Sequence, residues 1–269
     1  MSIAQALTIA GSDNCGGAGF QADLKTFQMQ HVFGMTTITA IPVQNSMGVY
    51  AIHAVPLDII EGQLKAIADD YHISAFKIGM LNNSETIECI ANALKKYDFG
   101  KTVLDPVMYA KNGAPLLQPS AVEALRTHLV PMAEVITPNI PEAEALTGIH
   151  IVDDESAIQA AQVLQQMGTK NIVIKGGHTQ DSQSEICRDW LITPTEILHL
   201  DSPRFYTRHT HGTGCTFSAC IAAELAKGHD VVAAVKTAKA FITAAISHPL
   251  NIGHGNGPTN HWAYSQLNK

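Results

Sequence analysis

The chain has 269 residues, 46% of them apolar, with 17 basic and 24 acidic side chains and a net charge of −7. That is ample material for the core of a sizeable α/β protein, and the negative balance excludes one that grips nucleic acid or an anionic membrane through its overall field. The opening residues carry neither a basic stretch nor a long apolar run, so no signal or transit peptide is predicted, and no apolar run approaches the roughly 20 residues of a membrane span.

Residues 6–10 read as the first strand, and residues 22–31 repeat apolar side chains at helical spacing. A second strand is predicted over 37–43, then a helix over 57–68 with Leu57, Ile60, Leu64 and Ile67 on one face. A strand over 75–78 follows, then a helix that Ser84 would cap and that runs through Ala93. Strands are predicted at 102–104, 134–137 and 171–175, and a helix over 156–167 stops at Gly168, a typical helix-terminating residue. Most of these strands lack strict alternation, as strands buried on both faces do. Three short strands at 187–192, 196–200 and 204–207 have no helix between them and predict a small antiparallel extension. Helices over 215–227 and 231–248 and a Gly-rich loop over 253–258 complete the chain.

Alternating β and α segments predict an α/β fold with a mostly parallel central sheet and helices on both faces. With no repeat, low-complexity tract or linker, a single domain over 1–269 is expected. Five cysteines at irregular spacing, without CxxC, read as reduced thiols in a cytoplasmic protein.

Polar or Gly-rich segments fall at the carboxyl ends of the predicted strands: Gly11-Ser12-Asp13, Gln44-Asn45, Asp105-Pro106, Thr137-Pro138-Asn139 and Gly176-Gly177. In open α/β sheets ligands bind outside that edge. The sharpest local feature is His211-Gly212-Thr213-Gly214-Cys215 before a small-residue helix. Two glycines allow close backbone approach, and free N–H groups at the helix start suit an anion such as a phosphoryl group in transit. A helix N-terminus lowers a thiol pKa, so Cys215 is a candidate base toward a substrate hydroxyl. A glycine turn entering a buried helix, with Cys215 as core filler, fits the same residues. Gly16-Gly17-Ala18-Gly19 matches neither GxGxxG nor a P-loop; it reads as a tight turn or as backbone brought close to a small flat ligand. Asp105 and Glu142 near a phosphate would suit magnesium, although Glu142 also fits an ordinary first-turn helix acid. Lys175 could meet a nucleotide phosphate or snorkel from its strand end. The alternating His209 and His211 have no accompanying HExxH or Cys/His set, so zinc is not expected, and Cys89, Cys187 and Cys220 read as packing residues.

Taken together, these residues resemble the bacterial hydroxymethylpyrimidine/phosphomethylpyrimidine kinases of the ribokinase-like superfamily. The resemblance runs nearly end to end and includes Leu7-Thr8-Ile9-Ala10-Gly11-Ser12-Asp13, the stretch from Gly17 to Thr26, Lys77-Ile78-Gly79-Met80, Pro141-Glu142-Ala143-Glu144 and the motif ending in Cys215-Thr216. It implies a ribokinase-like fold, ATP and Mg2+, usually a homodimer, and two successive phosphorylations of 4-amino-5-hydroxymethyl-2-methylpyrimidine that feed thiamine synthesis. It further implies that Gln44 bonds the pyrimidine edge while Ala18, Met80 and Val107 line its faces, with Asp23 close by. Cys215 would be the base, and Gly212, Thr213 and Gly214 the anion hole. Asp105 and Glu142 would organise magnesium and phosphate, and Asn139, Lys175 and Gly177 would meet the nucleotide. Lys111 would sit in a lid over the phosphates. Asn14-Cys15 departs from the family's usual Ser-Gly, and Tyr109 and Asn112 replace smaller lid residues.

A pyridoxal or pyridoxine kinase is the nearest alternative. Ala110 stands where that branch tends to carry a second cysteine, which favours the pyrimidine. A non-catalytic pyrimidine sensor would usually have lost the base or the glycines that this chain keeps, and no GxGxxG supports a dehydrogenase.

Overall fold

The computed structural model describes residues 3–110, 113–178 and 185–267. In chain order the elements are β1 (Gln5–Ala10), α1 (Gly19–Met29), β2 (Phe33–Ile38), β3 (Ala40–Asn45), β4 (Gly48–Ala54), α2 (Leu57–Ala68), β5 (Ala75–Ile78), α3 (Ser84–Lys96), β6 (Lys101–Leu104), α4 (Ala121–His128), β7 (Val135–Ile136), α5 (Ile140–Thr147), α6 (Asp154–Gln166), β8 (Asn171–Lys175), β9 (Ile186–Ile192), β10 (Ile197–Pro203), α7 (Thr213–Ala226), α8 (Val231–Ser247) and α9 (Ala263–Leu267). Eight strands form one sheet in the order β10-β9-β8-β7-β6-β5-β1-β2, and β3 and β4 pair separately. From β2 to β8 the neighbours are parallel, whereas β9 and β10 are antiparallel. This is the ribokinase-like α/β architecture.

Strand periodicity sorts the core by size. Leu7, Ile9, Phe76, Ile78, Leu104 and Ile136 face the layer containing α2 to α6. Their neighbours Ala6, Ala75, Val103, Val135 and Val173 face α1, α7 and α8. Each large aliphatic side chain so buried contributes about 1.5–3 kcal/mol relative to exposure. The smaller side lets an alanine-rich helix lie close: Ala219, Ala222 and Ala223 of α7 are fully buried against it.

Several predicted boundaries move. The strand predicted over 37–43 is two strands, divided at Thr39. Its N–H donates to Ala10 O at 3.1 Å and its hydroxyl to Met80 O at 2.7 Å, which anchors the chain as it leaves the sheet. Beyond it, β3 alternates buried Ala40 and Pro42 with exposed Ile41 and Val43 and pairs only with β4. Gln44 and Asn45 are therefore the end of that separate ribbon, not residues following a strand of the central sheet. Asn83, not Ser84, caps α3, its side-chain oxygen accepting the Thr86 N–H at 2.9 Å. Residues 204–207 form no strand, since β10 is an edge strand and ends at Pro203.

Candidate active site

Because β1, β5, β6, β7 and β8 are parallel, their carboxyl ends open on one edge, where a cavity of about 640 Å³ lies. At one end, Ala18 from the turn before α1, Gln44 from β3, Met80 after β5 and Val107 after β6 line it. These apolar surfaces with one amide suit a flat, partly polar ring. Asp23 does not reach the cavity. It is wholly buried beneath it, where both its oxygens accept from Lys77 Nζ at 2.8 and 2.9 Å and Thr8 Oγ1 donates to it at 2.6 Å. It is Lys77 that lines the cavity.

Gly212 caps α7 with φ of 82°, the left-handed region that glycine enters without strain. The approach there is tight: a Cβ on Gly212 would lie 1.7 Å from Gly17 O, and one on Gly17 would lie 2.7 Å from His211 Cδ2. The pairing of the two loops is fixed by Asp13, whose Oδ2 accepts from Gly17 N at 2.9 Å and Ala18 N at 2.7 Å and lies 2.8 Å from His211 Nε2. Burial would raise the Asp13 pKa, but His211 and the backbone N–H groups outweigh it and hold the carboxyl far below its usual range. Behind this clasp, Thr213, Gly214 and Cys215 form the first turn of α7 and line the cavity; the Thr213 N–H donates to Thr210 O at 3.3 Å, and the leading N–H groups of a helix, which have no intrahelical acceptor, suit an anion.

The Cys215 thiol does not behave as its helix position alone predicts. Burial pushes it up to about 11, against the pull of Lys77. Desolvation outweighs the helix terminus and favours the protonated thiol.

Beside the anion site, Lys175 Nζ lies 3.0 Å from Asp105 Oδ1, and a Cβ on Gly214 would lie 3.3 Å from both Asp105 Oδ2 and Lys175 Nζ. Thr137 and Ser218 hydroxyls donate to the same carboxylate at 3.3 and 3.4 Å. Glu142 and Asn139 form a reciprocal capping box at the start of α5, with bonds of 2.8 and 2.9 Å. Burial pushes Glu142 up to about 7; Lys175 opposes the shift and Asp105 adds to it. Lys175 ends up raised, because the two carboxylates outweigh a burial effect that would lower it. Among the described residues no group of three or more His, Cys, Asp or Glu could hold a metal ion. Two carboxylates sharing one lysine fit an ion that arrives on phosphate oxygens and keeps its waters.

At the far end, Gly177 lines the cavity over a buried pair that the sequence reading missed. Lys239 Nζ lies 2.7 Å from Asp189 Oδ2, while Asp189 Oδ1 accepts the Gly176 N–H at 2.9 Å. Cys187, read as packing, also lines this end. Lys111 and Asn112 lie outside the described residues. Lys77 carried a detectable signal, since a lysine inside the four-residue strand Ala-Phe-Lys-Ile, buried throughout, demands a partner. Asp13 was marked only as part of the strand end Gly11-Ser12-Asp13, with no sign of its partner, and Asp189 and Lys239 carried no signal.

A family profile described as phosphomethylpyrimidine kinase matches residues 13–260. A curated hydroxymethylpyrimidine/phosphomethylpyrimidine kinase of Haemophilus influenzae is 64% identical over 267 residues, covering 99% of each chain. Among solved structures, an ADP complex of Bacillus subtilis pyridoxal kinase matches with a TM-score of 0.90 at 41% identity, over 98% of this chain and 99% of that one. A phosphomethylpyrimidine kinase from Clostridium difficile matches with a TM-score of 0.81 at 41% identity, over 91% of this chain and all of that one.

Proposed function

We infer the chemistry of this chain from the phosphomethylpyrimidine kinase family, to which it belongs. It is an ATP-dependent kinase that phosphorylates hydroxymethylpyrimidine and then its monophosphate in thiamine biosynthesis. The observation that carries the site assignment is the meeting, in one cavity, of a thiol, a glycine-flanked helix N-terminus and the Lys175–Asp105–Glu142 cluster.

The pyrimidine lies between Ala18, Met80 and Val107 with its edge on Gln44, and its hydroxymethyl group faces Cys215. The transferring phosphoryl group sits over Gly212, Thr213 and Gly214, where fixed N–H dipoles stabilise charge that develops on its oxygens. Nucleotide phosphates extend toward Lys175 and Asn139, and the base lies toward Gly177. In the first step Cys215, ionised by loss of its proton to solvent, takes the hydroxyl proton as the O–P bond forms and the bond between the γ-phosphorus and the bridging oxygen of ATP breaks, releasing ADP. In the second step the acceptor is a phosphate oxygen, already largely deprotonated at neutral pH. Asp23 supports the floor of the substrate end through Lys77. Lys111 would serve the lid.

Magnesium is proposed as a companion of ATP, held by Asp105 and Glu142 largely through water; bound, it would offset phosphate charge. A homodimer is proposed from the outer face of β3 and β4, where Ile41, Val43 and Tyr50 are exposed. A cytoplasmic location is supported by five free cysteines, and no helix among the described residues is long and apolar enough to cross a membrane. A single working domain is supported by one sheet that draws strands from Gln5 to Pro203.

The likeness to a pyridoxal kinase at 41% identity favours a second reading, B6 vitamers as minor substrates. A parallel assay tests both. Hydroxymethylpyrimidine, its monophosphate and pyridoxal are presented with ATP and magnesium, and products are followed by mass. Far higher kcat/KM on both pyrimidines supports the principal reading, and a pyridoxal preference overturns it.

A further inference from the structure

Of the ion pair beneath the substrate end, only Lys77 lines the cavity, and Asp23 lies wholly buried behind it. Lys77 and Asp23 are both wholly buried, and a buried pair of this kind is a weak device for stability, because desolvation costs several kcal/mol per ion. Its placement is specific. In β5, Lys77 shares a face with Ala75, turned toward α1 and α7 and away from Phe76 and Ile78. On the neighbouring strand its register partner is Thr8, whose hydroxyl bonds the same carboxylate. Three elements, β1, β5 and α1, thus fix one ammonium, and that lysine lines the cavity together with Cys215.

We propose that Lys77, held in place by Asp23 and Thr8, is a positioning residue whose buried ammonium stabilises the Cys215 thiolate. The inference rests on Cys215 being the proton acceptor of the first phosphorylation. For that role the thiol must first lose its proton to solvent, and it then takes the hydroxymethyl proton as the O–P bond forms. Burial opposes this ionisation most strongly, and Lys77 is the foremost charge that favours it. Asp23 and Asp105 oppose it, the Gly19 backbone N–H assists it, and Lys175 also interacts with the thiol. Asp23 therefore has two opposing effects. It anchors the lysine, and its own charge tempers the lysine's action on sulfur.

The opposition in sign provides the test. Alkylation of Cys215 by iodoacetamide is followed on the full chain as a function of pH, with the Cys215 peptide read by mass. Lys77→Met is expected to move the midpoint up by about one pH unit or more, and Asp23→Asn to move it down. The acidic limb of the kcat profile for the first phosphorylation should move with it, about tenfold in rate per unit on the limb. A merely structural role would lower activity in both variants without displacing the midpoints in opposite directions, and that result overturns the proposal. If Lys77→Met does not fold, the double variant Asp23→Asn, Lys77→Met is compared with Asp23→Asn alone. A higher midpoint in the double variant supports the lysine's action, and an equal one overturns it. Cys215→Ala assayed separately isolates the base assignment. Turnover surviving in that variant would end the base reading, while the alkylation midpoints would still decide whether Lys77 governs the thiol.

Discussion

His211 and Asp13 are 198 residues apart in the chain, yet Nε2 of one lies 2.8 Å from Oδ2 of the other. The contact fastens the turn that presents Ala18 to the loop that opens α7, so the proposed pyrimidine wall and the proposed anion site share one anchor. Replacing Asp13 with Ala should lower kcat/KM on the order of 10²-fold, because small displacements of a positioned substrate carry penalties of that size. Steady-state kinetics should show both kcat and KM affected. The depressed Asp13 pKa also has a sign in stability. Its contribution is complete above its ordinary value of 3.8 and is lost only as pH falls further, through the lower folded-state value.

Cys215→Ala should separate the two phosphorylations. The hydroxyl acceptor must surrender a proton, whereas the phosphate acceptor of the second step is largely ionised already. Loss of a general base costs roughly 10²–10⁴-fold, so the first step should fall by that order and the second by far less. Single-turnover assays on each pyrimidine, with calorimetric binding to show that the pyrimidine is still held, would check this. Equal losses in both steps would remove the base role.

Gly212→Ala should abolish turnover and destabilise the fold. The added methyl would meet Gly17 O at 1.7 Å and would force a non-glycine residue to φ of 82°. Left-handed strain alone costs about 1–2 kcal/mol, and the carbonyl collision adds to it. Thermal unfolding and kcat report the two effects together.

Glu142→Gln should flatten the pH dependence of stability. Burial raises the Glu142 pKa from 4.5 to about 7, so between those values the native state holds a proton that the unfolded chain has lost. Stability contributed by this group is full below the lower value and declines as pH rises through the interval. The melting temperature of the native protein should fall across that window more than that of the variant, measured without nucleotide.

Much of this site was legible because it sits where the fold delivers ligands. Asp105, Asn139, Gly177 and the loop before α7 lie at strand ends or helix starts, and short apolar runs mark those places. Gln44 was recognised but misplaced: Pro42, which has no N–H to give a central ladder, was the one sign that residues 40–43 leave the sheet, and the turn at Thr39 itself has no local mark. The partnership of Asp13 with His211, and that of Lys239 with Asp189, depends on contacts between distant segments that local patterns do not encode. The Cys215 ionisation misled for a related reason. The helix start is visible in sequence, whereas the depth of burial belongs to the assembled core.

The alanine stripe of α7 bears on how such an enzyme can vary. Ala219, Ala222 and Ala223 fill the narrow layer between helix and sheet, and interiors this dense transmit an added methylene as backbone shift. A larger side chain there would tilt the helix whose first turn is the anion site, far from any ligand. Loss-of-function alleles should therefore cluster along this hidden seam as well as around the cavity, and drift at these positions should be confined to the smallest residues.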